Sequence, residues 1–470
     1  MDRIDRIRNG QRPAAGPACC GLLSLILIVA LAGCYAAQPL REPSVSSGPS
    51  DGAWSLTEAF GDSSGGPKVE LRDGLTEQEA VALALRRSPS LSALRHRREA
   101  AKGEIGIARA LPNPEFRVGD LRAGRLRSLF PGEDDSFIPF QGVDLGARWS
   151  LPYPAVMGAR IRAARHGLEE AEAELEGACS GLAARVRLLH AAASALEEEV
   201  RLAVNLVDLR RRQRDLTSRA VERMSATVLD EGAAQLEYLE AVAEVERLHL
   251  TRQETLRELS ALLRLPEADT LRVVATVLSF NLTLRDDAAL IREAFSRADL
   301  RAMRARHAQA DARVAEAYGG RIPWPGYLQV SYELAGRQDP GGWEIGLGIE
   351  LPLLNWGTAK VRRLEAERAT REAEFEARTG EVASEVRRVL GRLRACARGV
   401  ALYRDEILPA VELSLDQTRR AVEAGQADQR RLLAVQERAL KERRAYLEAL
   451  LGYQQSLIEL DRATGKGDGG

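Results

Sequence analysis

The amino-acid sequence predicts a mainly α-helical protein with a small β part, and three observations carry that prediction. Two proline-poor stretches place apolar residues at alternating spacings of four and three, the pattern of long antiparallel helical hairpins. Four short segments alternate apolar and polar residues with period two, as strands do. The order helical segment, strand pair, hairpin then occurs a second time about 200 residues later. Composition agrees: 29% of the 470 residues are charged and only 5% aromatic, with Ala, Leu, Arg and Glu dominant, as in long helices. The 67 basic residues are balanced by 68 acidic ones, which argues against a nucleic-acid partner, since a phosphate-binding surface carries a clear basic excess.

The first element is an export signal. Arg3, Arg6, Arg8 and Arg12 precede an apolar run, Gly21 to Ala32, too short to span a bilayer and suited to a signal-peptide core. It ends in Leu31-Ala32-Gly33-Cys34, which resembles the bacterial lipoprotein box. That resemblance implies removal of residues 1–33, lipid on Cys34 and contact with membrane lipid; an ordinary secretory signal beside a chance cysteine is the alternative. Tyr35 stands where an inner-membrane retention signal has Asp. Beyond Cys34 only Cys179 and Cys396 remain, without CxxC spacing, so neither a zinc site nor a disulfide framework is indicated, and no cofactor is expected. Residues 34–74 are rich in Gly, Ser and Pro and read as a tether.

The two structural repeats follow, at 75–282 and 283–465, with 466–470 as a tail. Leu175, Cys179, Leu182, Val186, Leu189, Ala193, Leu196, Val200, Ala203 and Val207 form the first seam. Phe375, Thr379, Val382, Val386, Val389, Leu393, Cys396 and Val400 form the second, in register at an offset of 200. No proline occurs between Pro154 and Pro266. The stretch 154–264 therefore reads as two antiparallel helices, the first roughly 105 Å long, turning near Arg223 to Ala226. The second hairpin, 354–463, turns near Gly425 to Asp428, and Pro409 should bend it by removing a backbone bond. Glu197-Glu198-Glu199 reads as surface charge on the solvent side of the seam.

Strands are expected at about 114–121 and 143–151, and again at about 327–335 and 343–351. Their length and one-sided apolar pattern suit transmembrane strands of a barrel, with two soluble hairpins as the alternative. Phe116, Trp149, Trp324, Tyr327 and Trp343 lie near their ends, as an interfacial belt would. Gly346-Leu347-Gly348 inside a strand fits a crowded barrel wall. Four strands cannot close a barrel, and an open edge in lipid leaves backbone groups unpaired. If the strands enter a membrane, several chains must share one barrel, and three copies would supply twelve strands.

Together these features resemble the TolC-type outer-membrane efflux factors, in particular the lipoprotein members serving resistance-nodulation-division pumps. The residues that carry the likeness are Leu111-Pro112-Asn113-Pro114-Glu115, Leu351-Pro352-Leu353-Leu354-Asn355-Trp356-Gly357, Ile407-Leu408-Pro409-Ala410, Val422-Glu423-Ala424-Gly425, and Tyr446 to Leu450 running to Ile458-Glu459-Leu460. It covers about Leu75 to Gly465. It implies duplicated hairpins forming an α-barrel below a shared 12-stranded trimeric outer-membrane β-barrel. The expected molecule is a homotrimer in the outer membrane of a Gram-negative-type bacterium, extending into the periplasm. Its expected partners are a periplasmic adaptor (membrane fusion) protein and an inner-membrane pump.

The same resemblance places the two helical turns at a closed periplasmic tip. Ser225, Ala226, Gly425 and Gln426 are the expected adaptor contacts; Asp230, Asp428, Arg430 and Arg431 are the expected aperture gate. Met224 departs from the pattern, standing where relatives often have Gly. The sequence indicates no enzyme: the five histidines are scattered, and neither HExxH, GxSxG nor a GxxxxGK[ST] loop occurs. The alternative is a lipid-anchored periplasmic coiled-coil scaffold or adaptor without its own pore, which leaves the strand-like segments without a reason. A passive porin would leave the hairpins without one.

Overall fold

Local chemistry starts the first two helices. Thr76 caps α1 (Glu77–Arg87) through a capping box with Glu79, and Ser88 caps α2 (Pro89–Arg109), which has Pro at its first position. The computed structural model describes residues 74–119, 143–265, 271–274, 280, 286–334, 342–351 and 355–466. The signal segment, Cys34, the tether, the connector Arg122 to Gly142, most of the connector after Leu334 and the last four residues lie outside them.

After α2 come β1 (Glu115–Gly119) and β2 (Val143–Ser150), then α3 (Pro154–Glu222) and α4 (Val228–Leu263). The second repeat runs through α5 (Asp287–Ala294), α6 (Ala298–Gly319), β3 (Pro325–Leu334) and β4 (Trp343–Ile349). Its hairpin is α7 (Thr358–Leu402), a π-turn (Tyr403–Ile407), α8 (Leu408–Glu423) and α9 (Gln429–Thr464). With 69 residues, α3 is about 104 Å long. β3 starts two residues ahead of the expected Tyr327, with a bulge between Pro325 and Tyr327. Pro409, where a bend was expected, follows directly on that π-turn, at the second position of α8.

The strands form one antiparallel sheet in the order β1-β2-β3-β4. Its register makes three apolar rows on one face: Phe116, Ala147, Val330, Ile345; Val118, Leu145, Tyr332, Trp343; and Trp149, Leu328, Leu347. The other face carries Glu115, Arg148, Gln329 and Gly346 in one row and Arg117, Gly146, Ser331 and Glu344 in the next.

The heptad seams close the core. In the first repeat Val186 and Ala193 pack with Leu75, Val81 and Ala84 and with Leu256, Leu259 and Leu263; in the second Val382, Val386 and Val389 pack with Leu290, Leu300 and Ala463. The duplication is imperfect at one core position. Leu390 has His190 as its counterpart 200 residues earlier, fully buried, with Nε2 3.0 Å from the Leu75 carbonyl oxygen. A buried imidazole bonded to a backbone carbonyl is a structural device, tying the start of the repeat to α3.

Candidate functional site

Both hairpins turn through the same closure. At the end of α3, Ser225 N–H donates to Ala220 C=O (2.8 Å) and Met224 N–H to Val221 C=O (2.8 Å). At the end of α8, Gln426 N–H donates to Ala421 C=O (2.7 Å) and Gly425 N–H to Val422 C=O (3.0 Å). These are Schellman closures, which put one residue in the left-handed region. That residue is Met224 (φ 54°) in the first tip and Gly425 (φ 69°) in the second. The far ends of the hairpins repeat the contrast, with Arg264 (φ 55°) after α4 and Gly465 (φ 79°) after α9.

The expected contact and gate residues all lie at these tips. Ser225 Oγ donates to the Ala220 carbonyl (2.9 Å), so the hydroxyl completes the helix end. Ala226 is half-buried, while Gly425, Gln426, Asp428, Arg430 and Arg431 are exposed. Asp230 is the third residue of a capping box: its carboxylate accepts from Thr227 N–H (2.8 Å) and Thr227 Oγ1 (2.7 Å). These bonds, backbone first, hold the carboxyl below its ordinary range, and the Arg430 charge adds to the effect. The fold therefore brings Asp230 of one tip toward Arg430 of the other. Asp428 caps α9 by position, without a side-chain bond. Cys34 lies outside the described residues.

Sequence reasoning missed that the tips are chemically unlike. Met224 is 96% exposed, and Val228 and Leu229 are exposed as well; their counterparts 201 residues later are Gly425, Gln429 and Arg430. The first tip thus presents apolar side chains at positions where the second has Gly, Gln and Arg. The available signal was Val228-Leu229 directly after a capping threonine, off the seam.

Above the tips, ionic ties join the repeats. Arg210 of α3 pairs with Glu237 of α4 and with Glu437 of α9 (2.7 Å), and Glu437 also takes Lys441 (2.7 Å). Arg444 of α9 pairs with Glu244 of α4 (2.8 Å), which is also held by Arg247 (2.7 Å). Hydrogen bonds from Arg247, then Arg444, lower the Glu244 carboxyl to about 2. The reading of Glu199 as surface charge is corrected here: it is 8% exposed, because α9 packs over that side of α3. Burial pushes its carboxyl up, and Arg444 offsets this in part.

At the other end, the apolar face of the sheet is open: Phe116, Trp343, Ile345 and Leu347 are exposed. On the opposite face the Tyr327 ring lies where a Gly348 Cβ would be, at 2.1 Å, so only glycine fits there. The Arg148 guanidinium covers that ring at 3.6 Å. β1 and β4 have one neighbour each, so both outer edges lack a partner among the described residues.

A sequence profile of the outer membrane efflux protein family matches residues 80–263 and 290–466, one span per repeat and most of the chain. The chain belongs to the outer membrane efflux protein family. The cobalt-zinc-cadmium resistance protein CzcC of Cupriavidus metallidurans is 29% identical over 215 residues, 45% of this efflux-family chain and 46% of CzcC; the match thus spans about half the length of that relative. Two solved structures share the fold of this family member. One is a membrane protein from Pseudomonas aeruginosa, 20% identical with a TM-score of 0.68, covering 83% of this chain and 92% of that one. The other is the outer membrane protein VceC from Vibrio cholerae, 19% identical with a TM-score of 0.65, covering 83% and 96%.

Proposed function

We propose that three copies of this chain form the outer-membrane channel of a tripartite efflux system, a passive exit duct driven by an inner-membrane pump through a periplasmic adaptor. The observation that carries the reading is the sheet: four strands, one exposed apolar face and two open edges. Such a sheet is stable in lipid only if neighbouring copies satisfy its edges. The helices support the same closure. On α4, Leu229, Leu236, Leu239 and Leu250 are exposed at heptad spacing, a seam with no partner in its own chain among the described residues.

In this reading Cys34 carries the lipid anchor, and Ser225, Ala226, Gly425 and Gln426 meet the adaptor. Arg430, Arg431 and Asp428 ring the aperture, with Asp230 contributing through Arg430. The cargo is small molecules or metal ions; the likeness to CzcC favours divalent cations, carried as substrate. The test is chemical cross-linking of detergent-extracted outer membranes, read by electrophoresis. A species near three times the mass of the processed chain is expected. A detergent-free monomer or dimer in the soluble periplasmic fraction would support the scaffold instead. Loss of resistance to cobalt, zinc or cadmium on deleting the gene tests the cargo.

A further inference from the structure

We infer that Arg148, held against the Tyr327 ring on the polar face of the sheet, presents a fixed cation to the barrel lumen, and that three copies make a ring there that favours small anions. The ring rests on the channel reading; the stack that holds each cation is a property of the single chain.

Strand register sets the stack. Leu145, Ala147 and Trp149 of β2 stand on the apolar face, so Gly146, Arg148 and Ser150 belong to the other. On β3 the same alternation puts Leu328 and Val330 on the apolar face and Tyr327, Gln329 and Ser331 opposite. Tyr327, expected in an interfacial belt, therefore faces the polar side. Its ring lies against Gly348 of β4, in the space a Cβ would take, and the Arg148 guanidinium covers the ring at 3.6 Å from its centre. The missing Cβ gives the ring the layer next to the wall, and the guanidinium takes the layer above it, nearer the axis. The ring occupies the guanidinium face, which leaves the N–H edge to an anion. On the apolar side Trp149 Nε1–H donates to the Pro112 carbonyl (2.8 Å), fixing the same strand end. β2 and β3 are the inner strands, so copies that pair with β1 and β4 leave Arg148 and Tyr327 facing the lumen.

The charge of Arg148 is not cancelled where it stands. Among the described residues its partner is the Tyr327 ring and no carboxylate, although Glu115 stands opposite it on β1. Glu115 and Arg117, two residues apart on that edge strand, offset one another. Glu344 lies two strands and one row away, about 12 Å by strand spacing and rise, beyond a Debye length of about 8 Å. Twelve strands about 4.8 Å apart and tilted by about 40° enclose a radius of about 12 Å. Three cations raised off such a wall bring most of the cross-section within a Debye length of a guanidinium.

The test reads the local potential on the full chain in detergent, with Cys179→Ala and Cys396→Ala. Ser150→Cys places a thiol on an exposed position of the same face, two residues from Arg148. Its rates with an anionic and a cationic methanethiosulfonate are read on the peptide that carries residue 150. Arg148→Gln should lower the anionic-to-cationic ratio about fivefold, the effect of one charge about 7 Å away in water on reagents of opposite sign. Tyr327→Ala, which removes the platform, should lower it about twofold, while Tyr327→Phe, which keeps a ring, should leave it unchanged. Ala147→Cys, on the apolar face, should show no such dependence on Arg148. A ratio that Arg148→Gln leaves as it was overturns the cationic ring; one that Tyr327→Ala leaves as it was overturns the stack as its holder. An equal change at Ala147→Cys overturns the placement of Arg148 on the lumen face. A wild-type chain that forms no trimer would count against the channel, and the Tyr327 dependence would still decide the stack on single chains. A trimer with a flat ratio would defeat the ring and leave the channel standing.

Discussion

The left-handed caps allow a matched pair of substitutions with opposite signs. Met224 and Gly425 close the two tips with the same backbone bonds at nearly the same φ, so each is the other's control. A side chain in the left-handed region costs about 1–2 kcal/mol through contact of Cβ with the following carbonyl. Glycine avoids that cost but loses about 0.5–1 kcal/mol of chain entropy on ordering, leaving a net advantage of about 1 kcal/mol. Packing does not intervene at either site. The Met224 side chain is 96% exposed, and a Cβ on Gly425 would meet nothing within 4 Å. Met224→Gly should therefore stabilise the first tip by about 1 kcal/mol and Gly425→Ala destabilise the second by about as much, each about fivefold in the local opening equilibrium. Hydrogen exchange of peptides covering 218–230 and 419–431 reads that equilibrium directly, with slower exchange expected for the first variant and faster for the second. Exchange that is unchanged or faster in Met224→Gly would refute the reasoning, because no lost contact is available to mask the gain.

The helix starts offer a second contrast: Thr227→Ala removes a capping box and should weaken the first turn of α4 by about 1 kcal/mol, whereas Asp428→Ala, which loses no side-chain bond, should leave α9 protection nearly unchanged in the same exchange experiment. Glu199 gives a pH dependence. Its folded carboxyl is raised above the ordinary 4.5 by burial, so its stabilising, protonated form is fully present below 4.5 and lost as pH rises through the raised value. Glu199→Gln should raise the thermal unfolding midpoint at pH 7 and have no effect below about pH 4; an equal gain at both pH values would rule out the buried charge as the cause.

The seams and strands were legible because they are set by local periodicity, which the sequence displays without reference to any partner. Val186, Val386 and Val400 are buried because a four-three spacing keeps one helix stripe facing inward. Glu199 was misread for the same reason. The seam accounts for one packed side of α3, but α9 covers a second, and nothing within α3 announces a neighbour from 240 residues further along. The proposed gate residues were legible as charges at a turn, yet the role of Asp230 as a cap depended on Thr227 three residues earlier, a Thr-x-x-Asp variant of the usual capping pattern. The π-turn was hidden because a fixed offset of 200 was carried past the point where it becomes 201.

That one-residue change also shows how the repeats are joined. On α9, Arg430, Glu437 and Arg444 are the counterparts of Leu229, Leu236 and Ala243 on α4. Glu437 and Arg444 tie α9 to the first repeat of the same chain, while the α4 residues face outward with no partner in it among the described residues. If copies close into a ring, the face that joins the second repeat to the first within a chain must recur between chains, with α4 meeting the second repeat of a neighbour. The junction inside the chain is ionic and the one between chains apolar. Partly buried ion pairs contribute modestly and depend on geometry, whereas apolar area stabilises association whatever the fine alignment. A ring built this way holds its copies together through Leu229, Leu236, Leu239 and Leu250 while keeping the adjustable contacts within each chain.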